Sequence, residues 1–376
     1  AMINYKHINR SADFYEDPIA YIKFTSGSTG DPKGVVISRD SLIKFLRWYI
    51  CELKISHTDV LSAYSDFNFD LSIPDIYSGL FSGATTVLIA NKFQKLMPTK
   101  FISEHQITIW NSVPSVINIM RKTYNEAKDT FASLRLLNFC GEPLTVSQIK
   151  FLFKNISHSK VQNTYGPTEA TVFISNIWLS ENNYKKFSES SVSLGKPLPH
   201  MSLKKLTITP DTTIFEPFGD DETGEAVIIG PQVAIGYFGD KNLTEKNFIF
   251  DSITGVRGYR TGDVLLYKGQ NYYFVGRTDN QIKRNGYRVE LEEIERVADK
   301  LGFYKNLAIF AGNDLILCIE SEQKIKTTKV QAALREFLPK YYFPIFVQIV
   351  NEIPLTKNGK KDRKKMVSTY LDGLVK

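Results

Sequence analysis

Cysteine is scarce in this 376-residue chain: Cys51, Cys140 and Cys318 are widely separated and form no Cys-x-x-Cys pair. That spacing argues against a disulfide framework or a cysteine zinc site and fits a reducing, cytoplasmic compartment. The five histidines are scattered, without a His-x-x-x-His spacing. No run approaches the ~18 consecutive apolar residues that would span a bilayer. The first residues, Ala1-Met2-Ile3-Asn4-Tyr5-Lys6, lack the apolar stretch of a secretion signal. No membrane association is therefore expected. Charge is not strongly one-sided, at +7 net. The lysines are spread out and no basic run is interleaved with aromatics, which argues against nucleic acid. A solvated surface is the plain reading of that charge, and attraction to an acidic partner the sharper one.

What is present suits one large domain and a smaller one. Over residues 41–53 apolar side chains recur at helical spacing (Leu42, Phe45, Leu46, Tyr49, Ile50, Leu53), with Ser38 or Asp40 available as cap. Strand-like runs follow at 85–90, 107–113, 134–139 and 161–165, separated by helical stretches, one starting near Pro114. This alternation predicts an α/β fold. A strand-rich block spans 225–276. The pattern then changes: a helix over 290–302 ending at Gly302, strands at 307–311 and 315–320, a helix at 327–338 and a strand at 346–350. A boundary near 277–279 gives an α/β core domain (1–278) and a small α+β C-terminal domain (279–376).

The densest chemistry lies in 21–38, Tyr-Ile-Lys-Phe-Thr-Ser-Gly-Ser-Thr-Gly-Asp-Pro-Lys-Gly-Val-Val-Ile-Ser. An apolar strand enters a loop carrying hydroxyls, glycines and Lys33. Glycines let backbone N–H groups approach a polyphosphate, hydroxyls donate to it, and a lysine offsets its charge. The loop lacks the Gly-Lys-Ser/Thr ending of a Walker loop. Further stretches follow: Phe-Asp-Leu-Ser (69–72), Asn-Thr-Tyr-Gly-Pro-Thr-Glu-Ala-Thr (163–171), Gly-Glu-Ala-Val-Ile-Ile-Gly (224–230), Tyr-Arg-Thr-Gly-Asp (259–263), Gly-Arg-Thr-Asp-Asn-Gln-Ile-Lys-Arg-Asn-Gly-Tyr-Arg-Val-Glu (276–290) and Pro-Leu-Thr-Lys-Asn-Gly-Lys (354–360). Alone, Glu169 reads equally as a surface or cap residue, Asp263 as a turn aspartate and Lys360 as one of many surface lysines.

In this order the motifs resemble the adenylate-forming superfamily: acyl-CoA synthetases, luciferases and adenylation domains of nonribosomal peptide synthetases. The resemblance covers essentially the whole chain. It implies an ATP- and Mg²⁺-dependent ligase that joins a carboxylic acid to AMP with release of pyrophosphate. Thr25, Ser26, Gly27, Ser28, Thr29, Gly30 and Lys33 would hold the phosphates. Tyr165 and the wall Gly141, Glu142 and Pro143 would form the adenine pocket, Asn163 and Thr164 would also bind the nucleotide, and Asp263 and Arg277 would serve the ribose and phosphate region. Thr168 would lie near the α-phosphate, Glu169 would serve Mg²⁺, and Lys360 would stabilise the charge that builds on the α-phosphoryl oxygens. Asp279 matches the hinge of a mobile C-terminal domain, and Gly286 the tunnel for a pantetheine arm.

The same resemblance implies an amino-acid substrate. Asp70 would pair with its ammonium; the alternative is a cap on a helix beginning near Leu71. The remaining pocket positions are Leu71, Pro74, Asn111, Asn138, Cys140, Thr164, Val172 and Phe173, with Asn138 and Phe173 filling space and favouring a small acid. Phe-Cys-Gly-Glu at 139–142 resembles D-alanine:carrier-protein ligases in particular, which makes D-alanine a candidate. The acceptor would be the phosphopantetheine thiol of a carrier protein in trans, as no Leu-Gly-Gly-x-Ser attachment motif is present. An acyl- or aryl-CoA ligase is the rival reading. Only about twenty residues precede Tyr21, where family members have over a hundred. A fragment, a short protein, a separate chain supplying the N-terminal subdomain, or a non-catalytic remnant would each account for that.

Overall fold

In the computed structural model, residues 18–25, 32–125, 130–156, 158–189, 191–284, 287–312, 314–343, 345–356 and 361–374 are described. The helix Arg39–Leu53 shows how local sequence fixes an element. Ser38 accepts from the Ser41 N–H at 3.0 Å and starts it, Lys54 in the left-handed region (φ 49°) stops it, and Leu42, Phe45, Leu46, Tyr49 and Leu53 face the core. Ile50 of the expected stripe is only partly covered. Thr145 and Gln148 form a reciprocal capping box on Val146–Asn155.

A seven-stranded sheet carries the site. Its order is Thr85–Leu88, Val60–Ala63, Ile109–Ser112, Leu136–Phe139, Lys160–Tyr165, Ser175–Leu179, Lys196–Pro197. The first five strands are parallel and the last two antiparallel. Helices cover this parallel part, so its inner strands Ile109–Ser112 and Leu136–Phe139 are buried on both faces. Within that apolar frame Asn111, Asn138 and Gln162 align in register across three strands, a buried polar row.

A six-stranded antiparallel sheet follows, built around Glu222–Ile229 and Arg257–Lys268. The strand-rich expectation for 225–276 matches this sheet, except that the helix Lys241–Asn247 interrupts it. A small sheet pairs Ile19–Thr25 with Lys33–Ser38 and Gly236–Tyr237. After Asp279 come a two-stranded hairpin (Gln281–Arg284 with Tyr287–Glu290) and a three-stranded sheet. The helices Leu291–Lys300, Thr327–Phe337 and Arg363–Leu374 pack on that sheet. The chain is thus a mixed α/β protein. Among the described residues no helix is long and apolar enough to cross a membrane.

Candidate active site

Lys33 opens its strand and Glu169 lies in the short 3₁₀ turn Thr168–Ala170. The fold brings the Lys33 Nζ to 3.3 Å from Glu169 Oε1, with the Glu169 side chain fully buried. Tyr237, 68 residues further along, donates its hydroxyl to the same carboxylate oxygen at 2.8 Å. Lys33 in turn donates to the Tyr237 hydroxyl at 3.2 Å. Glu169 is therefore neither a surface residue nor a cap. A buried carboxylate and a lysine at the mouth of a glycine-rich loop suit a metal-bound polyphosphate. Oxygen ligands match Mg²⁺, which is commonly held by one or two carboxylates together with substrate phosphates.

Asp263 lies inside the strand Arg257–Lys268, almost completely buried, and is not a turn residue. Tyr165 donates its hydroxyl to Asp263 Oδ2 at 2.6 Å, and the Arg277 guanidinium pairs with Oδ1. Burial, then the Asp263 carboxylate, pushes the Tyr165 phenol well above its ordinary pKa. Arg277 also reaches the Thr261 carbonyl at 3.1 Å and both oxygens of Asp279, at 2.6 and 2.7 Å. One guanidinium thus joins the expected ribose carboxylate to the expected hinge residue. Gly262 leaves room for it: at φ +71° its backbone suits glycine, and a Cβ there would sit 2.7 Å from Arg277 Nη2. A cavity of about 1190 Å³ opens beside these groups, lined among others by Gly141, Glu142, Pro143, Thr164, Tyr165 and Arg277. Glu142 anchors its wall by accepting from the Ser115 N–H at 2.9 Å. Asn163 is not brought to this group. It does not line the cavity, and its amide donates to the Ser193 carbonyl at 2.8 Å.

Asp70 is hydrogen-bonded to Thr168, with Lys23, Glu169 and Lys283 in its electrostatic surroundings. Burial raises its pKa, and the Thr168 hydroxyl and Lys23 act against that rise. It does not cap a helix. The helix Ser72–Ser82 has Leu71 at its N-cap and no side-chain cap. Leu71, Pro74, Asn111, Asn138, Cys140, Thr164, Val172 and Phe173 are all buried. The Thr164 hydroxyl shares its proton between Asn138 Oδ1 and the Phe139 carbonyl, at 3.2 and 3.1 Å. Burial pushes the Cys140 thiol up to about 11, so it stays protonated. Phe173 packs against Phe45, Trp48 and Tyr49, with ring centroids 4.9 to 5.9 Å apart. Together the four rings form an aromatic plug. Deeper still, Tyr49 donates to Asn111 at 2.9 Å and Asn111 donates to Asp75.

Val172 and Phe173 reach the pocket through a strained turn. Thr171 (φ 59°) and Val172 (φ 72°) are consecutive β-branched residues in left-handed conformation, costing about 1–3 kcal/mol each. The buried Gln232 offsets this. Its side-chain amide donates to the carbonyls of Ala170 (3.2 Å) and Phe173 (3.1 Å), and its backbone carbonyl accepts from the Thr171 hydroxyl at 2.7 Å. Neither Gln232 nor Tyr237 was identified from sequence; each is remote in the chain from what it holds. Lys283 lay in a quoted motif without a role. Its ammonium lies 5.6 Å from the Tyr165 ring centre. Thr25 ends its strand at the loop. Ser26, Gly27, Ser28, Thr29, Gly30, Gly286 and Lys360 lie outside the described residues.

The family model for AMP-binding enzymes matches residues 6–238. The chain is 34% identical over 368 residues to a D-alanine--D-alanyl carrier protein ligase of Bacillus cytotoxicus, covering 94% of this chain and 71% of that protein. The crystal structure of the Vibrio cholerae adenylation domain AlmE, in complex with glycyl-adenosine-5'-phosphate, superposes with a TM-score of 0.81 at 26% identity, over 95% of this chain and 68% of that one. That of IdnL1 gives 0.76 at 26% identity, over 92% and 71%. The chain belongs to the AMP-binding enzyme family, as an AMP-forming amino-acid adenylating ligase.

Proposed function

We propose that this ligase activates a small amino acid, D-alanine first among the candidates, and passes it as a thioester to the phosphopantetheine arm of a carrier protein. The observation that carries this reading is the meeting of half-buried Asp70 and Thr168 with the fully buried Glu169 in one site. A carboxylate able to pair with an α-ammonium stands beside the carboxylate assigned to the nucleotide's metal. The aromatic plug at Phe173 and the name of the Bacillus relative support the small D-amino acid and the carrier.

In this reading ATP lies along the cavity wall Gly141–Pro143 with its ribose hydroxyls on Asp263. Its triphosphate meets Thr25, Lys33 and the loop residues Ser26–Gly30. Magnesium held by Glu169 would supply charge neutralisation on the phosphates. Asp70 orients the substrate so that its carboxylate faces the α-phosphorus. Carboxylate oxygen attacks there, the bond to the β-phosphate oxygen breaks, and pyrophosphate leaves. Thr168 and Lys360 stabilise the charge gathering on the α-phosphoryl oxygens. A small domain comprising 279–376 then turns about Asp279 and brings the segment around Gly286 to guide the thiol, which attacks the acyl carbon and releases AMP.

The test is ATP–pyrophosphate exchange with a panel of L- and D-amino acids and glycine. Exchange strongest with D-alanine is expected, and lost with Asp70→Ala. Exchange strongest with another small amino acid would correct the substrate. No exchange with any amino acid, together with AMP release on a fatty or aryl acid and free coenzyme A, would overturn the reading.

A further inference from the structure

We propose that Tyr237 is a positioning residue for adenylation: its hydroxyl fixes the Glu169 carboxylate in the direction from which it meets the nucleotide's divalent cation. The proposal rests on the reading of Glu169 as the residue that serves Mg²⁺. Three polar groups form a closed triangle. Tyr237 donates to Glu169 Oε1 at 2.8 Å, Lys33 donates to the Tyr237 oxygen at 3.2 Å, and Lys33 lies 3.3 Å from the same Oε1. The polarity is consistent at every edge, since the phenol uses its single proton on the carboxylate and its lone pair on the ammonium. The lysine also lies 4.7 Å from the centre of the tyrosine ring, a cation–π contact.

The tyrosine itself is rigidly held. Its strand pairs with the one that carries Lys33, Tyr237 opposite Val35. Its N–H donates to Thr244 Oγ1 at 2.9 Å, and its ring packs against Phe248. The Glu169 backbone is tied to the same segment, its carbonyl accepting from the Ala234 N–H at 2.9 Å. Lys33, by contrast, has a flexible stem and a charge that a polyphosphate competes for. When the triphosphate arrives, the ammonium can turn toward phosphate oxygens while the phenol keeps Glu169 Oε1 in place. The rigid neutral donor, not the mobile cation, then sets where the carboxylate points.

The experiment is calorimetric titration of the full chain with ATP, once with excess Mg²⁺ and once with EDTA. The quantity read is the gain in affinity that magnesium brings. For the unaltered protein a clear gain is expected. Tyr237→Phe keeps the ring but loses the hydroxyl, and its gain should shrink by about ten- to a hundredfold, the size of one hydrogen bond to a charged acceptor. Affinity in EDTA should change far less. Lys33→Met should weaken binding in both conditions by a similar factor and keep the gain. Equal losses for Tyr237→Phe with and without magnesium, or an undiminished gain, would overturn the role of Tyr237. So would loss of the gain in Lys33→Met, a result that stands even if the tyrosine variant fails to fold. No magnesium gain in the unaltered protein would instead remove the reading of Glu169, and the role of Tyr237 with it.

Discussion

At the scale of single residues, two buried side chains behind the substrate pocket carry measurable consequences. Asp75 is fully buried, receives the Asn111 amide on one oxygen and has no partner on Oδ2 among the described residues. Burial holds its carboxyl well above the usual range, against the pull of Asn111. The unfolded chain releases this proton in the ordinary carboxylate range while the folded chain keeps it. The folded state therefore binds more protons, and stability falls as pH rises through that window. Asp75→Asn keeps the acceptor for Asn111 and has nothing to release. Its melting temperature should exceed that of the parent, by more at pH 7.5 than at pH 5. The second residue is Gln232. Gln232→Leu would strip donors from buried carbonyls and free the strained Thr171–Val172 turn, at a cost of about 1–3 kcal/mol for each group left unsatisfied. Urea denaturation should show the loss, and the KM for the amino acid should rise more than the KM for ATP as Phe173 loosens.

Elements were legible where a local signal controls them. The helix Arg39–Leu53 and the helix Leu291–Lys300, ending just before Gly302 at φ +89°, follow from apolar spacing and caps. Strand ends were less so. The runs expected at 107–113 and 134–139 shorten to Ile109–Ser112 and Leu136–Phe139, because pairing with neighbours, absent from any local pattern, decides where a strand stops. The helix Lys241–Asn247 was invisible in a strand-rich block because it buries no residue, leaving no apolar stripe to read. The join between the two large sheets was equally hidden. Gly195 (φ +76°) sits where the Leu194 N–H donates to the Tyr272 carbonyl at 2.8 Å, and a Cβ there would fall 1.9 Å from the Asn176 carbonyl oxygen. Gly195→Ala meets backbone rather than a movable side chain. It should cost about 3 kcal/mol or more from overpacking and left-handed strain together, read as a lower urea midpoint.

At the scale of the whole molecule, the sequence motifs named most of the residues that meet at the site, because each motif is contiguous and carries its own chemistry. What they could not name are the supports. Tyr237 and Gln232 act on residues 68 and 62 positions away, a relation without periodicity or spacing. Arg277 links the two ends of the site, holding Asp263 with one side of its guanidinium and Asp279 with the other. Arg277→Met should weaken ATP binding about tenfold or more and quicken proteolytic cleavage between residues 277 and 281, followed by gel.

The left-handed pair Thr171–Val172 also bears on how such a pocket changes over generations. Its wall is drawn into place by a glutamine outside the proposed pocket, encoded about sixty positions away. Preference for one amino acid over another can therefore drift through substitutions at Gln232 or at His200, whose ring meets the glutamine amide at 2.6 Å, while every pocket-lining residue stays the same. Two chains with identical pocket residues need not choose the same acid.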